Sequence, residues 1–431
     1  FNLASLLRLG EGLGTANWSL AWPLAFVLLS LYVFDTYAPD RFASGVWAAV
    51  RSIVAVVGAG IMISLFVYLA GLWGMYAIFG RGIFAVALLL FLPWVVFSRY
   101  YSTLWSRRYR SSVKWLVLGL GESVNQLHRD FQASGIGGAM EFLACDNDEV
   151  RSSSLPGVLG VIDDIGRLNL MSYTGIVLTR ANILSDALAK QLMDFRLRGM
   201  RIYDISDFYE SVWHKVPVLH LKEGWFVFSP GFDLLHNPIG MRMKRVLDIA
   251  FAAMGLVAAL PLMLIAAIAI RLESSGPAIY RQERKGENGR IFVLYKLRSM
   301  YADPNASQSR WTVKDDPRIT QVGRFIRLIR LDELPQLVNV IRGDMSFIGP
   351  RPEARELTTL YEREIPFYDL RYLVKPGITG WAQVMYPYGS SVEDAREKLQ
   401  YDLFYIKNYS LLLDLAILLK TIRVVLSGRG R

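Results

Sequence analysis

Residues 244–285 read KRVLDIAFAAMGLVAALPLMLIAAIAIRLESSGPAIYRQERK. Within them, Ile249–Leu272 is an apolar run long enough to cross the roughly 30 Å hydrocarbon core of a bilayer. Pro261 lies near its middle, where it removes one helical hydrogen bond and clashes with the preceding turn, so a kink is expected there. Both flanks are basic: Arg242, Lys244 and Arg245 before the run, Arg281, Arg284 and Lys285 after it. Excess positive charge marks the cytoplasmic side of a membrane segment, and here it marks both ends. A kinked spanning helix satisfies the length alone. A helix hairpin broken at Pro261, entering and leaving by the same face, satisfies length and charge together, and it is placed at residues 244–272.

Upstream, Trp18–Phe34, Val46–Leu69 and Gly82–Phe97 are three further apolar stretches of about spanning length. After the third, Arg99, Arg107, Arg108, Arg110 and Lys114 follow with no acid among them, which puts that side in the cytoplasm. Counting back through three spans leaves residues 1–17 outside. An even number of spans requires a further helix before Phe1, and such a helix is expected. No basic segment precedes a short apolar core, so no cleavable signal peptide is read here.

Composition agrees with a membrane protein carrying sizeable aqueous domains. The 431 residues are 53% hydrophobic and 20% charged, and the mean hydropathy is +0.28. Disorder, collagen and a disulfide scaffold are excluded by the apolar content, the lack of a glycine period and the single cysteine, Cys145. The net charge of +10 is read as facing anionic headgroups, with no nucleic-acid partner expected. The four histidines end at His236, so chemistry beyond it must rest on carboxylates, hydroxyls or a metal.

From residue 113 the texture changes. Lys114–Leu118, Met140–Ala144, Thr174–Thr179 and Met200–Tyr203 read as strands, alternating with helical stretches at Glu122–Ala133 and Asp186–Arg198. That alternation predicts a Rossmann-like parallel α/β domain over 113–215. Gly119 and Gly121 offer a close approach to a pyrophosphate, but the third position of the G-x-G-x-x-G fingerprint is Val124. No Tyr-x-x-x-Lys pair lies in 113–215, which weighs against a nucleotide-sugar oxidoreductase or epimerase. Residues 216–238 read as a short β-hairpin and linker, and Tyr409–Leu426 as an amphipathic helix lying on the headgroups. The full expectation is transmembrane helices in 1–112, the α/β domain, the hairpin linker, and a mainly helical catalytic domain over 239–431.

The chemistry is concentrated in Asp316–Pro335. Arg318, Arg324, Arg327 and Arg330 recur at multiples of three and run into the acid pair Asp332-Glu333, with Pro335 suited to a new helix. An ionised carboxylate near a helix start, among arginines that suit a phosphate, is set up to attack phosphorus. Glu333 beside it is placed to hold Mg²⁺. The plainer alternative is an acidic capping pair beside a solvated basic face. Arg351, between Pro350 and Pro352, presents its planar fork to a phosphate at low ordering cost.

Taken together, Lys244-Arg245-x-x-Asp248, Lys296-Leu-Arg298-Ser-Met300, Asp316-Pro-Arg318-Ile-Thr320, Leu331-Asp-Glu-Leu-Pro335-Gln336, Gly349-Pro-Arg-Pro352, Gly377-Ile-Thr-Gly380 and Tyr405-Ile-Lys-Asn-Tyr-Ser410 resemble the bacterial sugar transferase family. These are monotopic polyprenyl-phosphate sugar-1-phosphate transferases, and the match runs over about 240–431. The upstream spans and α/β domain resemble its long form, the undecaprenyl-phosphate galactose or glucose phosphotransferases. The resemblance implies transfer of hexose-1-phosphate from a UDP-hexose to undecaprenyl phosphate, with release of UMP. That step initiates exopolysaccharide, O-antigen or capsule synthesis at the bacterial inner membrane, with the catalytic and Rossmann-like domains cytoplasmic. It implies Asp332 as nucleophile, Glu333 as its magnesium-associated partner, and Arg327 and Arg351 as substrate-binding arginines. Lys296, Arg298 and Arg318 are implied as further substrate-binding cations, and Pro261 as the helix-breaking position. The serine that commonly precedes that proline is Leu260 here. A homodimer is expected. A non-catalytic assembly factor is the competing reading.

Overall fold

A computed structural model of the chain describes residues 21–34, 46–69, 81–111, 113–179, 184–221, 223–232, 237–301, 316–386, 389 and 391–426. Two compact units divide it, Phe1–Ile205 and Ser206–Arg431.

In the first unit, helices α1 (Ala21–Val33), α2 (Val46–Leu69) and α3 (Arg81–Ser111) bury Leu31, Ala55, Val56 and Val95 among themselves. The Ser30 hydroxyl donates to the Ala55 carbonyl at 2.7 Å, so this polar side chain is satisfied within the apolar cluster. Leu24, Ile61, Leu89, Trp94 and Phe97 remain exposed, the pattern of helices whose outer solvent is lipid. Val50–Leu69 and Ala85–Ser102 are long and apolar enough to cross a membrane. The described part of the first expected span, α1, is 13 residues, about 20 Å of helix and short of a crossing; residues 1–17, expected outside, lie beyond the described residues. The third span differs from expectation. It does not end at Phe97 but continues helical to Ser111, because 98–111 holds no glycine or proline to stop it. Arg99, Arg107, Arg108 and Arg110, expected on a loop, therefore sit on a helix, and Lys114 begins the strand that follows.

Beyond α3 lies a five-stranded, wholly parallel sheet of order β3-β2-β1-β4-β5. Its strands are β1 (Lys114–Leu118), β2 (Ala139–Ala144), β3 (Val158–Val161), β4 (Gly175–Leu178) and β5 (Arg201–Asp204), crossed by α4 (Glu122–Ser134), α5 (Asn147–Ser152) and α6 (Asp186–Leu197). Leu116, Val117, Leu118, Ile176 and Val177 are fully buried, as central strands covered on both faces require. Gly119 and Gly121 take φ of 95° and 127°, conformations open to glycine, at the turn into α4. Strand β3 was not legible beforehand: Val-Leu-Gly-Val is short, and a register shift disrupts its ladder.

The second unit begins within α7 (Ile205–Trp213). Residues 206–213 group with it, ahead of the expected boundary at 215. Glu210 pairs with Lys407 at 2.5 Å, and the following Lys215 pairs with Glu397 at 2.6 Å. The β-hairpin expected over 216–238 is not formed by the described residues. Val218–His220 is a 3₁₀ turn and α8 (Glu223–Phe228) is helical. Pro217 cannot donate to a ladder, and Trp225 and Phe226 instead pack on the core around Leu399, Leu403 and Tyr405.

The hairpin of this unit lies further on. Strands β6 (Ile279–Lys285) and β7 (Ile291–Leu297) pair antiparallel across a Gly-Glu-Asn-Gly turn, with Asn288 and Gly289 at φ of 52° and 74°. Before it, α9 (Pro238–Glu273) runs 36 residues, capped by Asn237 and with Pro261 inside it. The helix is assigned continuously through Pro261, where the break was expected, which leaves a proline kink as the way the chain would bend there. One hydrogen bond is forgone at the proline, and the flanking Ala, Leu, Met and Ile residues sustain the helix through it. The unit is completed by α10 (Gln321–Leu328), a 3₁₀ turn at Leu331–Glu333, α11 (Gln336–Arg342), β8 (Ser346–Ile348), α12 (Arg355–Glu364), β9 (Gly377–Thr379), α13 (Trp381–Met385), α14 (Val392–Lys407) and α15 (Leu411–Leu426).

Candidate active site

Three tethers hold one side of α9. Lys244 donates to Asp414 at 2.8 Å and to the Ile348 carbonyl at 3.1 Å. Arg245 satisfies the end of α11, reaching Val340 O at 2.5 Å and Ile341 O at 2.8 Å. Asp248 accepts from Phe347 N at 3.0 Å. The Lys-Arg-x-x-Asp motif therefore fastens α9 to the strand that leads into Gly349–Pro352. Tyr405 and Tyr409 complete the tether, both donating to Asp414 at 2.9 Å.

The far end of α9 is fastened just as closely. Glu273 accepts from the amides of Gln321 at 2.6 Å and Val322 at 3.0 Å, satisfying free donors at the start of α10. Thr320 caps the same helix through Gly323 N at 2.8 Å. Gly323 is fixed by its surroundings, since a Cβ there would overlap the Ser299 carbonyl. Arg298 donates to the Ser274 and Ser275 carbonyls at 2.7 Å each and to the Ser274 hydroxyl at 2.9 Å. It is buried against the end of α9, and these bonds make it a structural tie there. Arg318 grips Asp316 with two side-chain donors, at 2.9 and 2.6 Å, and its backbone N–H at 3.0 Å, and holds that carboxylate down at a pKa of about 2.

Between these fastenings, Arg330 adopts a left-handed conformation (φ 59°) and turns the chain into the buried pair Asp332-Glu333. Glu333 collects three cations: Arg351 at 2.5 Å, Lys296 at 3.4 Å and Arg330 at 3.9 Å. Burial disfavours its charge, but Arg351 and Lys296 outweigh burial and hold it well below the usual carboxylate range. Asp332 goes the other way. Burial and then the adjacent Glu333 charge push it up, against the pull of Lys296, Arg327 and Arg330. The expectation of a carboxylate favoured by a helix start is corrected here. Leu334 and Pro335 are themselves helical, so Asp332 lies inside a continuing turn and caps nothing. Its Oδ1, and Nη1 of Arg327, are buried without a hydrogen-bond partner among the described residues.

Arg351 is held from behind. Strands β8 and β9 pair in parallel, Ser346 with Gly377 and Ile348 with Thr379, which brings the two glycine motifs together. A Cβ on Gly377 would overlap Gly349 N, so the approach admits no side chain. Arg371 donates to the Arg351 carbonyl at 2.8 Å and to Asp402 at 3.0 Å. Burial lifts Asp402 to about 6 despite that arginine. Sequence reading missed Arg371, Asp402 and Arg284, which donates to the Pro352 carbonyl at 3.0 Å. None lies in a patterned motif, and only the fold brings them to the loop.

The description "Bacterial sugar transferase" matches residues 239–428. The undecaprenyl-phosphate galactose phosphotransferase of Salmonella typhimurium is 31% identical over 345 residues, 74% of this chain and 69% of the relative. The chain belongs to the bacterial sugar transferase family. Other members are nearer in identity over shorter spans. The UDP-N-acetylgalactosamine-undecaprenyl-phosphate N-acetylgalactosaminephosphotransferase of Aeromonas hydrophila is 41% identical over 267 residues, 61% of each chain. The UDP-glucose:undecaprenyl-phosphate glucose-1-phosphate transferase of Caulobacter vibrioides is 44% identical over 200 residues, 46% of this chain and 74% of the relative. The chain thus spans under two thirds of the Aeromonas sugar transferase.

Within this family's matched segment, Glu333 was the expected magnesium ligand. Its oxygens are instead engaged by Arg351 and Lys296. Magnesium favours one or two carboxylates together with substrate phosphates. The free Asp332 Oδ1 suits an ion brought in largely by a diphosphate; the Glu333 side chain, ringed by cations, does not suit a resident one.

Proposed function

We propose that this sugar transferase moves a hexose-1-phosphate from a UDP-hexose to undecaprenyl phosphate, with release of UMP, and so begins the assembly of a surface polysaccharide. The observation that carries the reading is Asp332: a buried carboxylate with an unengaged oxygen, beside Arg327, Arg330 and Lys296. A carboxylate oxygen attacks the β-phosphorus of the donor, forming an aspartyl-phosphosugar bond. The bond from that phosphorus to the bridging oxygen breaks, and the oxygen leaves on UMP. An oxygen of undecaprenyl phosphate then attacks the same phosphorus and the carboxylate is regenerated. Neither nucleophile carries a proton that must be removed, which agrees with a matched segment devoid of histidine. Positioned cations supply most of what phosphoryl transfer asks of a protein. Magnesium bound with the diphosphate would neutralise further charge on it.

Both ends of α9 are tied to the same unit, so a crossing that separates them is disfavoured and a re-entrant course is supported. Its outer face, with Val257 76% and Leu272 84% exposed, is then the part in lipid. This keeps the site on the cytoplasmic face of the inner membrane, where UDP-sugars and the lipid headgroup meet.

The relatives named above act on glucose, galactose and N-acetylgalactosamine, so all three donors belong in the test. Purified protein in detergent is given Mg²⁺, undecaprenyl phosphate and each UDP-sugar in turn. Lipid-dependent UMP is expected, with the fastest donor naming the sugar, and Asp332→Asn abolishes it. Release of UDP, or turnover surviving in Asp332→Asn, rejects the mechanism.

A further inference from the structure

Gln336 begins α11, four residues after Asp332, and is 2% exposed, yet its Nε2 has no hydrogen-bond partner among the described residues. Buried polar atoms are nearly always paired, so an orphan calls for a reason. The same helix provides the contrast. Asn339, also buried, donates to the Val293 carbonyl at 2.7 Å and accepts from Tyr295 N at 3.2 Å, tying α11 to β7. One amide is wholly spent on the fold; the other is not spent on it at all.

The backbone places Gln336 beside the nucleophile. Leu334 (φ −61°, ψ −28°) and Pro335 (φ −59°, ψ −18°) keep the path from Leu331 into α11 helical. Residues four apart on such a path lie on neighbouring faces, their Cβ atoms about 5–6 Å apart. Three buried polar atoms on this short stretch therefore lack partners: Asp332 Oδ1, Arg327 Nη1 and Gln336 Nε2. One is an acceptor with an electron pair to give, and two are donors. A tetrahedral group bearing several oxygens satisfies both donors while its central atom faces the carboxylate.

We propose that Gln336 binds the donor substrate, its amide N–H donating to a non-bridging phosphoryl oxygen while Asp332 faces the phosphorus. The inference rests on the transfer reading above and adds a residue to it. A neutral donor orients the group without drawing the Asp332 carboxylate into an ion pair. Arg351 and Lys296 cannot fill that part as freely, because Glu333 already engages both.

The test uses the full chain in detergent with undecaprenyl phosphate and the preferred UDP-hexose. Gln336→Met keeps the length and deletes the N–H. UMP release, as kcat/KM, should fall roughly 10- to 100-fold, the worth of a hydrogen bond to a charged group. The melting temperature should hold or rise, since a buried unpaired amide is removed. Gln336→Glu should fall further, because a carboxylate repels the phosphate. Wild-type kinetics in Gln336→Met overturn the proposal, and so does a lowered melting temperature with activity restored on cooling. If the wild type itself releases no UMP, the transfer reading has failed on its own. The thermal shift on adding UDP-hexose then decides: a shift lost in Gln336→Met supports the contact, while equal shifts or none in either protein overturn it.

Discussion

Replacing Glu333 by Gln isolates the charge that holds the site's cations together. Arg351 at 2.5 Å and Lys296 at 3.4 Å both lean on this carboxylate. At an effective dielectric near 20, the gross attractions are about 7 and 5 kcal/mol. Desolvation of the three groups offsets most of that sum. Removing one partner of a buried pair costs about 3–5 kcal/mol, because the remaining charge stays buried and unanswered. The Arg351 side chain is 34% exposed, so water answers part of its charge, and the retained amide oxygen of Gln still accepts one hydrogen bond. A net cost of about 2–4 kcal/mol follows. For a unit of this size that is a fall of roughly 5–15 °C in apparent melting temperature. Intrinsic fluorescence during heating in detergent reads it directly. The released Arg351 and Lys296 should also bind free UDP at least as tightly as before, measured by calorimetry without magnesium. A melting temperature within roughly 2 °C of the wild type would falsify the view that Glu333 is the counter-charge on which the site is built.

Arg298→Ala should lower the melting temperature while leaving KM for the UDP-sugar unchanged, since both of its terminal nitrogens are bonded to Ser274 and Ser275; a raised KM with an intact melting temperature assigns it to the substrate. The pH dependence of the first half-reaction follows from Asp332, whose pKa burial raises above the ordinary 3.8. The ionised form of the proposed nucleophile is lost as pH falls through that raised value, so the burst of UMP released without lipid should decline before ordinary carboxylates titrate. Omitting the lipid keeps its own phosphate from titrating in the same range. A decline centred near 3.8 rejects the assignment of that limb to Asp332.

The sequence was most legible where chemistry and local structure coincide. Strands β1 and β4 announced themselves because a parallel strand buried on both faces must be largely apolar, whereas β2 carries Glu141 and the edge strand β5 carries Arg201 and Asp204, and these were legible through their alternation with helices. The Asp332-Glu333 pair and Arg351 were legible as charges beside prolines and arginines, a local pattern. One misreading and one omission share a cause. Residues 216–238 hold short apolar runs, Val-Pro-Val and Trp-Phe-Val-Phe, on either side of a glycine, like a hairpin, and Tyr280–Lys285 carries so many charges that it does not look like a strand. In both segments the partner decides. Trp225 and Phe226 are drawn onto a core built 170 residues later around Leu399 and Leu403, whereas β6 needs only the seven residues of β7 opposite it.

Arg298 and Arg351 show where motif reading stops. Each is an arginine within a short motif, and each was expected to bind substrate. Their fates are set by whether the nearest acceptors are backbone oxygens or a carboxylate at the site. Gly276 (φ 107°) turns the chain after α9 so that Ser274 and Ser275 offer their carbonyls to Arg298, consuming its fork in the fold. The loop carrying Arg351 spends its backbone on Arg371, Arg284 and Gly377, through the carbonyls of Arg351, Pro352 and Pro350. Among the ion pairs of the described residues its guanidinium meets Glu333 alone, a partner that an anion can compete with. A cation bonded to main-chain carbonyls is committed to the structure; one bonded to a buried carboxylate beside the proposed nucleophile is held in readiness for an anion. That distinction depends on which oxygens the fold brings within reach, and spacing along the chain does not encode it.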